Sequence, residues 1–315
     1  MRTLRKSALA LAALCAIGAG VLSPVQAAAG WHGLANVTTA VGSPAVGAVN
    51  GNIYVAGGTT SGLPTAALQV YNPNKNTWSN LASLPETLYQ TDGAATINSL
   101  LYVTGGWNGE LPTNTLYVYN PATNSWAAKA TLSHLAACGV SGVINSLLYV
   151  TTGCNGNTGY SSLLDVYNPV TNAWTSLAPS TSAHAAGAGA VINGELYLAG
   201  GIGNSDTVTA VAEVYNPATN KWKALADMPA PVQGASSVEL GGQLYVIGGT
   251  NSDGVEQTLV QIYNPIKNKW ATSAFPLPVA NSGSGAVVTY GIVFVEGGSG
   301  PSATNEDFTV LPSIP

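Results

Sequence analysis

The sequence predicts an all-β fold, a six-bladed propeller of four-stranded antiparallel blades, and three observations predict it. The segment YNPATNSW, from Tyr119, recurs as YNPNKNTW from Tyr71, YNPVTNAW from Tyr167, YNPATNKW from Tyr215 and YNPIKNKW from Tyr263, so the tyrosines step by 48 residues. An apolar run closed by a glycine pair keeps the same beat. It ends at Gly57-Gly58, Gly105-Gly106, Gly200-Gly201, Gly248-Gly249 and Gly297-Gly298, with Thr152-Gly153 as a degraded copy. Third, the last unit lacks its Trp strand, while Trp31 stands 47 residues before Trp78 at the other end of the chain. A fixed period of this size marks a solenoid or a propeller. Complementary ends mark a closed ring, which leaves only short protected edges.

Each unit reads as four short strands. In the fourth, Gly187 to Ile192 is small and apolar, and Asn193-Gly194 supplies a two-residue hairpin turn. Leu196 to Ala199 is the second strand and ends at the glycine pair; Val211 to Tyr215 is the third. Asn216-Pro217 stops that strand, because proline has no N–H for the ladder and Asn bonds its own backbone to start a turn. The second Asn of the motif tolerates a left-handed backbone. Lys221 to Leu225 is the fourth strand and carries Trp222, a ring large enough to lock neighbouring sheets together. In the last unit, Trp31 is expected to supply the missing outer strand.

The ends bound the domain plan. Arg2, Arg5 and Lys6 precede an apolar stretch from Ala8 to Val21, and Val25-Gln26-Ala27 offers small residues for cleavage. Residues 1–27 therefore read as a signal peptide, and the protein as exported across a bacterial inner membrane to the periplasm or the outside. Cys15 follows Leu14 rather than a small residue, which argues against a lipoprotein site. Residues 28–315 are then six repeats of 48, a single propeller domain with no further span and a monomer. That segment has no arginine and six lysines against 14 acidic residues, a net charge of about −8. Nucleic acid needs a basic footprint and is excluded as a partner.

On the glycine pair, the Tyr and the Trp seven residues after it, the chain resembles the kelch-repeat proteins, here Gly57-Gly58, Tyr71 and Trp78 and their equivalents. The resemblance implies the propeller and leaves function to its loops. Some relatives are copper radical oxidases, but no tyrosine, histidine or linked cysteine maps onto their ligands. Exported six-bladed relatives include sialic-acid epimerases. A sialate carboxylate favours an arginine fork, which the segment lacks. No cofactor and no catalytic residue is assigned, although Glu110, Glu256, His134 and His184 are the groups that could move a proton.

In a four-stranded meander, the first and third turns share one face. Here they are short and repetitive: Asn50-Gly51, Asn98-Ser99, Asn193-Gly194 and the NPxxN turns. The second-to-third loops and the connections between blades share the other face and differ in every unit, as in WNGELPTN, NGNTGYSS, IGNSDTVT and TNSDGVEQ. Constant scaffold with divergent loops is the plan of a binding surface. Its candidates are Tyr89, Trp107 and Tyr160 for stacking, and His134 and His184. The carboxylates Asp92, Glu110, Asp206, Asp253 and Glu256 and the amides Gln90, Gln233 and Asn281 complete the set. This mix suits a glycan or a protein partner. The expected function is an exported binding module, and the alternative is a carbohydrate-active enzyme of the epimerase kind.

Two cysteines remain after cleavage. The Asn145-Ser146 turn pairs residues whose numbers sum to about 291, which puts Cys138 opposite residue 153 and beside Cys154. A disulfide between them would close a loop worth about 3 kcal/mol and would compensate the lost glycine at Thr152. The alternative, a zinc set with His134 and His184, lacks the close ligand spacing of such sites, and no metal is assigned.

Overall fold

A computed structural model describes residues 30–156 and 159–298, together with the backbone of the strand Phe308–Val310. The expected signal peptide lies outside the described residues. Five four-stranded antiparallel sheets follow one another along the chain. The first is Ala45–Val49, Asn52–Ala56, Leu68–Asn72 and Thr77–Leu81, and the second Ala94–Ile97, Leu100–Thr104, Leu116–Asn120 and Ser125–Ala128. The third is Ser141–Ile144, Leu147–Thr151, Leu164–Asn168 and Ala173–Ser176. The fourth is Ala188–Ile192, Glu195–Ala199, Ala212–Asn216 and Lys221–Ala224, and the fifth Ser236–Leu240, Gln243–Ile247, Val260–Asn264 and Lys269–Thr272. There is no helix among the described residues, and so none long and apolar enough to cross a membrane.

The propeller therefore has five four-stranded blades, not the six expected. The remaining place is taken by a three-stranded sheet, Ser284–Thr289, Ile292–Gly297 and Phe308–Val310. Trp31 lies outside any strand. The reason is in the turn: every complete blade launches its fourth strand from an NPxxN turn, and the last unit has none to fix a register. The Trp31 indole still takes the repeat's position, donating its Nε1–H to the Phe275 carbonyl at 3.1 Å and packing against the buried cluster that includes Leu277 and Val293.

The repeated turn is a clamp between blades. Asn76, Asn124, Asn172, Asn220 and Asn268 all adopt a left-handed backbone, with φ of 47–52°. In each, Oδ1 accepts the hydroxyl of the Tyr five residues earlier at 2.7–2.8 Å. The same oxygen accepts a backbone N–H from the stretch leading out of the preceding blade, as Ala82 N–H does to Asn124 and Ala130 N–H to Asn172. The following Trp returns the contact. Trp126 Nε1–H donates to the Ala82 carbonyl and Trp174 Nε1–H to that of Ala130. Tyr and Trp rings lie 5.1–5.2 Å apart within each blade. Second-strand tyrosines reach the next blade, Tyr54 to Tyr119 and Tyr102 to Tyr167. Phe294 of the three-stranded sheet carries the contact back to Tyr71 and so joins the two ends of the ring.

The first strands face the axis, where Val46, Ala95, Val143, Val191, Val238 and Val287 line a channel with Thr96, Ser141, Ser237 and Glu239 among them. The glycine pairs seat the next connection. Gly57 has φ 66°, and a side chain there would strike the Leu88 carbonyl, which already accepts the N–H of Gly58. In the degraded copy, the Thr152 hydroxyl instead shares a hydrogen bond with His134 Nε2 at 2.9 Å.

Candidate functional site

The loops between blades are held from below by one residue of each third strand. Gln69, Tyr117, Asp165, Glu213 and Gln261 stand 48 residues apart, and four of the five are fully buried. Gln69 takes the N–H and gives to the carbonyl of Thr39; Gln261 does the same for Ala230. Tyr117 donates its hydroxyl to Glu86, and Asp165 accepts from Ser176 and lies 3.5 Å from His134. Glu213 carries the most. Its Oε2 accepts the Thr181 hydroxyl and N–H, and its Oε1 meets the Ser182 N–H and His184 Nε2. Burial by itself raises the Glu213 carboxyl, but these donors outweigh it and hold the group below the usual carboxylate value.

Above these anchors the six connections converge on the axis. Ser43, Gln90, Cys138, Ala186, Gly234 and Gly283 each adopt a left-handed backbone, with φ of 47–65°. They form a closed ring of backbone hydrogen bonds: Gln90 donates to Ser43, Cys138 to Gln90, Ala186 to Cys138, Gly234 to Ala186, Gly283 to Gly234, and Ser43 to Gly283, at 2.6–3.0 Å. Four non-glycine residues at positive φ are costly, and such strain persists only where the surroundings over-determine it. The ring frames a cavity of about 390 Å³ lined by Gln90, Thr91, Cys138, Gln233, Thr250, Ser282 and their neighbours. Hydroxyls, amides and one thiol line this mouth, with no charged side chain among them.

The residues expected on this face separate into three groups. Gln90 and Gln233 line the mouth. Glu110, Tyr160, Asp206 and Asp253 are exposed on the outer loops, with Glu256 and Tyr89 half-buried beside them. Burial, followed by the Asp206 carboxylate of the next blade, raises the Tyr160 pKa. Trp107 is half-buried, and its backbone bridges Tyr89 and Pro112. Its indole N–H is buried and turned toward the Cys138 sulfur rather than presented to solvent.

The third group is tied into the fold, and for the buried His184 and Asp92 this corrects the expectation of a surface position. His184 is 3% exposed and faces two acceptors, the Gly200 carbonyl at 2.8 Å and Glu213 Oε1 at 3.1 Å. His134 is spent on Thr152 and Asp165. A connection that crosses above a polar third-strand residue must supply it a partner, and histidine does so here. Asn281 donates its amide to the Gly297 carbonyl. Asp92 is fully buried, with Oδ1 accepting the Gly139 N–H at 2.8 Å and Oδ2 unpaired.

Burial, with Cys138 adding a smaller push, raises the Asp92 pKa well above the ordinary carboxylate value. The folded state thus holds this proton more tightly than the unfolded chain. Stability is full at acid pH and falls as pH rises above the unfolded value until the folded group ionises. Asp92→Asn keeps the Oδ1 acceptor and removes the titration. The variant should be the more stable at neutral pH, with the gap closing toward pH 4, read from melting curves of both proteins across that range. A constant gap would exclude the buried acid as its source.

Cys138 and Cys154 are free thiols in the structure, so the expected disulfide is not formed there. The register is the expected one: Ala137 bridges Cys154, and Ser141 pairs with Val150. No group of three or more metal-ligating side chains occurs among the described residues. The third-strand anchors and the ring of left-handed residues escaped the sequence reading. The signal of the anchors was the 48-residue spacing of single polar residues in otherwise apolar strands.

Comparison with known proteins agrees with this architecture. Residues 93–298 match the model of the KLHDC2/KLHL20/DRC7 Kelch-repeats domain, and residues 41–85 match the Kelch motif. The solved structure of YjhT superimposes with a TM-score of 0.78 at 20% identity, over 89% of this chain and 97% of that one, a likeness of fold. No curated protein matches the chain. With a family model covering well over half of its length, the chain belongs to the kelch-repeat family, whose propellers serve as protein-interaction modules.

Proposed function

We propose that the protein is an exported, monomeric kelch module that binds a polypeptide partner through its divergent-loop face. One observation carries the reading: apolar side chains stand exposed along the loops of the first three blades. Leu63 is 70% and Leu111 51% exposed, and Leu135, Tyr160 and Leu163 continue the series. Those loops touch, Gly109 lying against Pro64 and Gly156 against Pro112, so the exposed residues stand on neighbouring loops of one face. Exposed apolar side chains on one face, together with a polar mouth, supply the two kinds of group that an interface uses. The basic n-region, the apolar stretch and the small residues before Ala28 support export.

A glycan is the second reading, favoured by the uncharged amides and hydroxyls of the mouth, which match sugar hydroxyls. The epimerase alternative would need a proton donor and acceptor at the mouth. Its lining offers neither carboxylate nor imidazole, so Glu110 or Glu256 would have to reach in from the outer loops.

The test compares the wild type with Leu111→Asp and Leu163→Asp variants, by capture from envelope extracts and on a glycan array. The expected result is one protein partner whose affinity drops at least about tenfold in both variants, the equivalent of about 1.4 kcal/mol. Array binding that ignores both substitutions would transfer the reading to the glycan. Interconversion of N-acetylneuraminate anomers, followed by NMR, would establish the enzyme.

A further inference from the structure

We propose that Cys138 and Cys154 form a thiol–disulfide exchange pair opening on the axial mouth, and that its redox state sets whether Gln90 is bound or free there. The pair stands on its own geometry and does not depend on what the mouth binds. Cys154 sits opposite Ala137 in an antiparallel bridge, with N–H···O distances of 2.6 and 3.0 Å. Cys138, the next residue, is turned out of strand geometry by φ 59°. That turn places the Cys138 side chain beside the Cys154 thiol, next to the bridge that Ala137 makes with Cys154. The same sulfur is on the wall of the mouth and donates its S–H to Gln90 Oε1 at 3.8 Å. The buried Trp107 indole N–H faces the same sulfur.

The two thiols are not equivalent. Cys138 is 8% exposed, and the Cys154 hydrogen bond together with burial keeps it protonated. Cys154 is more exposed and is the attacking group. The oxidant is a disulfide of small-molecule or protein origin. Cys154 loses its proton and its thiolate attacks one sulfur of that disulfide, forming a mixed disulfide and expelling one thiolate. Cys138 then loses its proton and attacks the Cys154 sulfur, forming the internal disulfide and expelling the second thiolate. The pair gives up two protons and two electrons, and the oxidant takes the electrons as two thiols. Closing the bond removes the S–H from Gln90, whose amide then faces the cavity without that donor.

The experiment incubates the purified full chain with oxidised glutathione, quenches it, and digests it with chymotrypsin, which cuts after Tyr149 between the two cysteines. A linked Cys138–Cys154 peptide that dithiothreitol releases is expected, with a melting temperature higher by roughly 5 °C in the oxidised form. Cys138→Ser should stop at a glutathione adduct on Cys154, whereas Cys154→Ser should leave Cys138 unmodified. In NMR spectra, the Gln90 side-chain amide should shift between the two forms while that of Gln233 stays. Two alkylatable thiols remaining after oxidant treatment of the folded protein would overturn the pair. A linked peptide with an unmoved Gln90 amide would overturn its coupling to the mouth.

Discussion

Replacing Glu213 with alanine is expected to cost about 3 kcal/mol, since each donor left without its acceptor in the interior costs about 1–3 kcal/mol. The side chain is fully buried in the third strand of blade four and gathers four donors from residues 181–184. Without it His184 Nε2 loses an acceptor in the interior, and the Thr181 and Ser182 N–H groups lose theirs at the edge of the loop. His184 Nδ1 would remain tied to the Gly200 carbonyl, so the cost falls on the donors that the carboxylate had gathered. The pH dependence has a defined sign. Its donors hold the Glu213 carboxyl below the usual value, so its contribution is complete above the unfolded carboxylate range and is lost as pH falls through the lower folded value. Glu213→Gln should therefore show a flatter loss of stability on acidification than wild type. Urea unfolding at neutral and acid pH reads both effects. An alanine variant within about 1 kcal/mol of wild type would show that the loop finds other partners.

The scaffold was legible because its signals are local and repeated. Asn-Gly and NPxxN turns act within a few residues, and a period of 48 exposes them even when neighbours vary. Trp31 shows the limit. Its place in the ring was readable from its distance to Trp78, but a strand also needs a turn to launch it, and that requirement is invisible in a count of tryptophans. The face that carries the loops was legible for the same topological reason. The fate of single side chains on it was not. His184 looks like a surface ligand until Glu213, 29 residues away, is seen beneath it. Asp92 reads as a loop carboxylate until the Gly139 N–H closes over it. Both depend on contacts between blades, which no local pattern encodes. The mouth itself is built from backbone conformation, and a left-handed Gln90 or Cys138 has no sequence signature of the kind glycine provides.

Tyr119→Ala should cost about 3–5 kcal/mol, the range for deleting a fully buried aromatic ring. Tyr119 is wholly buried and serves two blades at once. Its ring packs on Trp126 at 5.1 Å in its own blade and on Tyr54 at 5.9 Å in the preceding one, and its hydroxyl donates to Asn124 Oδ1 at 2.7 Å. Alanine empties a space walled by two sheets whose strands are fixed by their ladders, so little of it can collapse. Tyr119→Phe separates the two contributions. It keeps the ring and removes one bond to an oxygen that still accepts the Ala82 N–H, for an expected loss of about 1 kcal/mol. The pair also tests whether the repeat acts by joining blades. If it does, the alanine variant should lose cooperativity, with protection from hydrogen exchange falling in blades one and two before the rest of the ring. Loss confined to blade two would mean that the contact with Tyr54 contributes little, and that the Asn–Trp clamp alone holds neighbouring blades together.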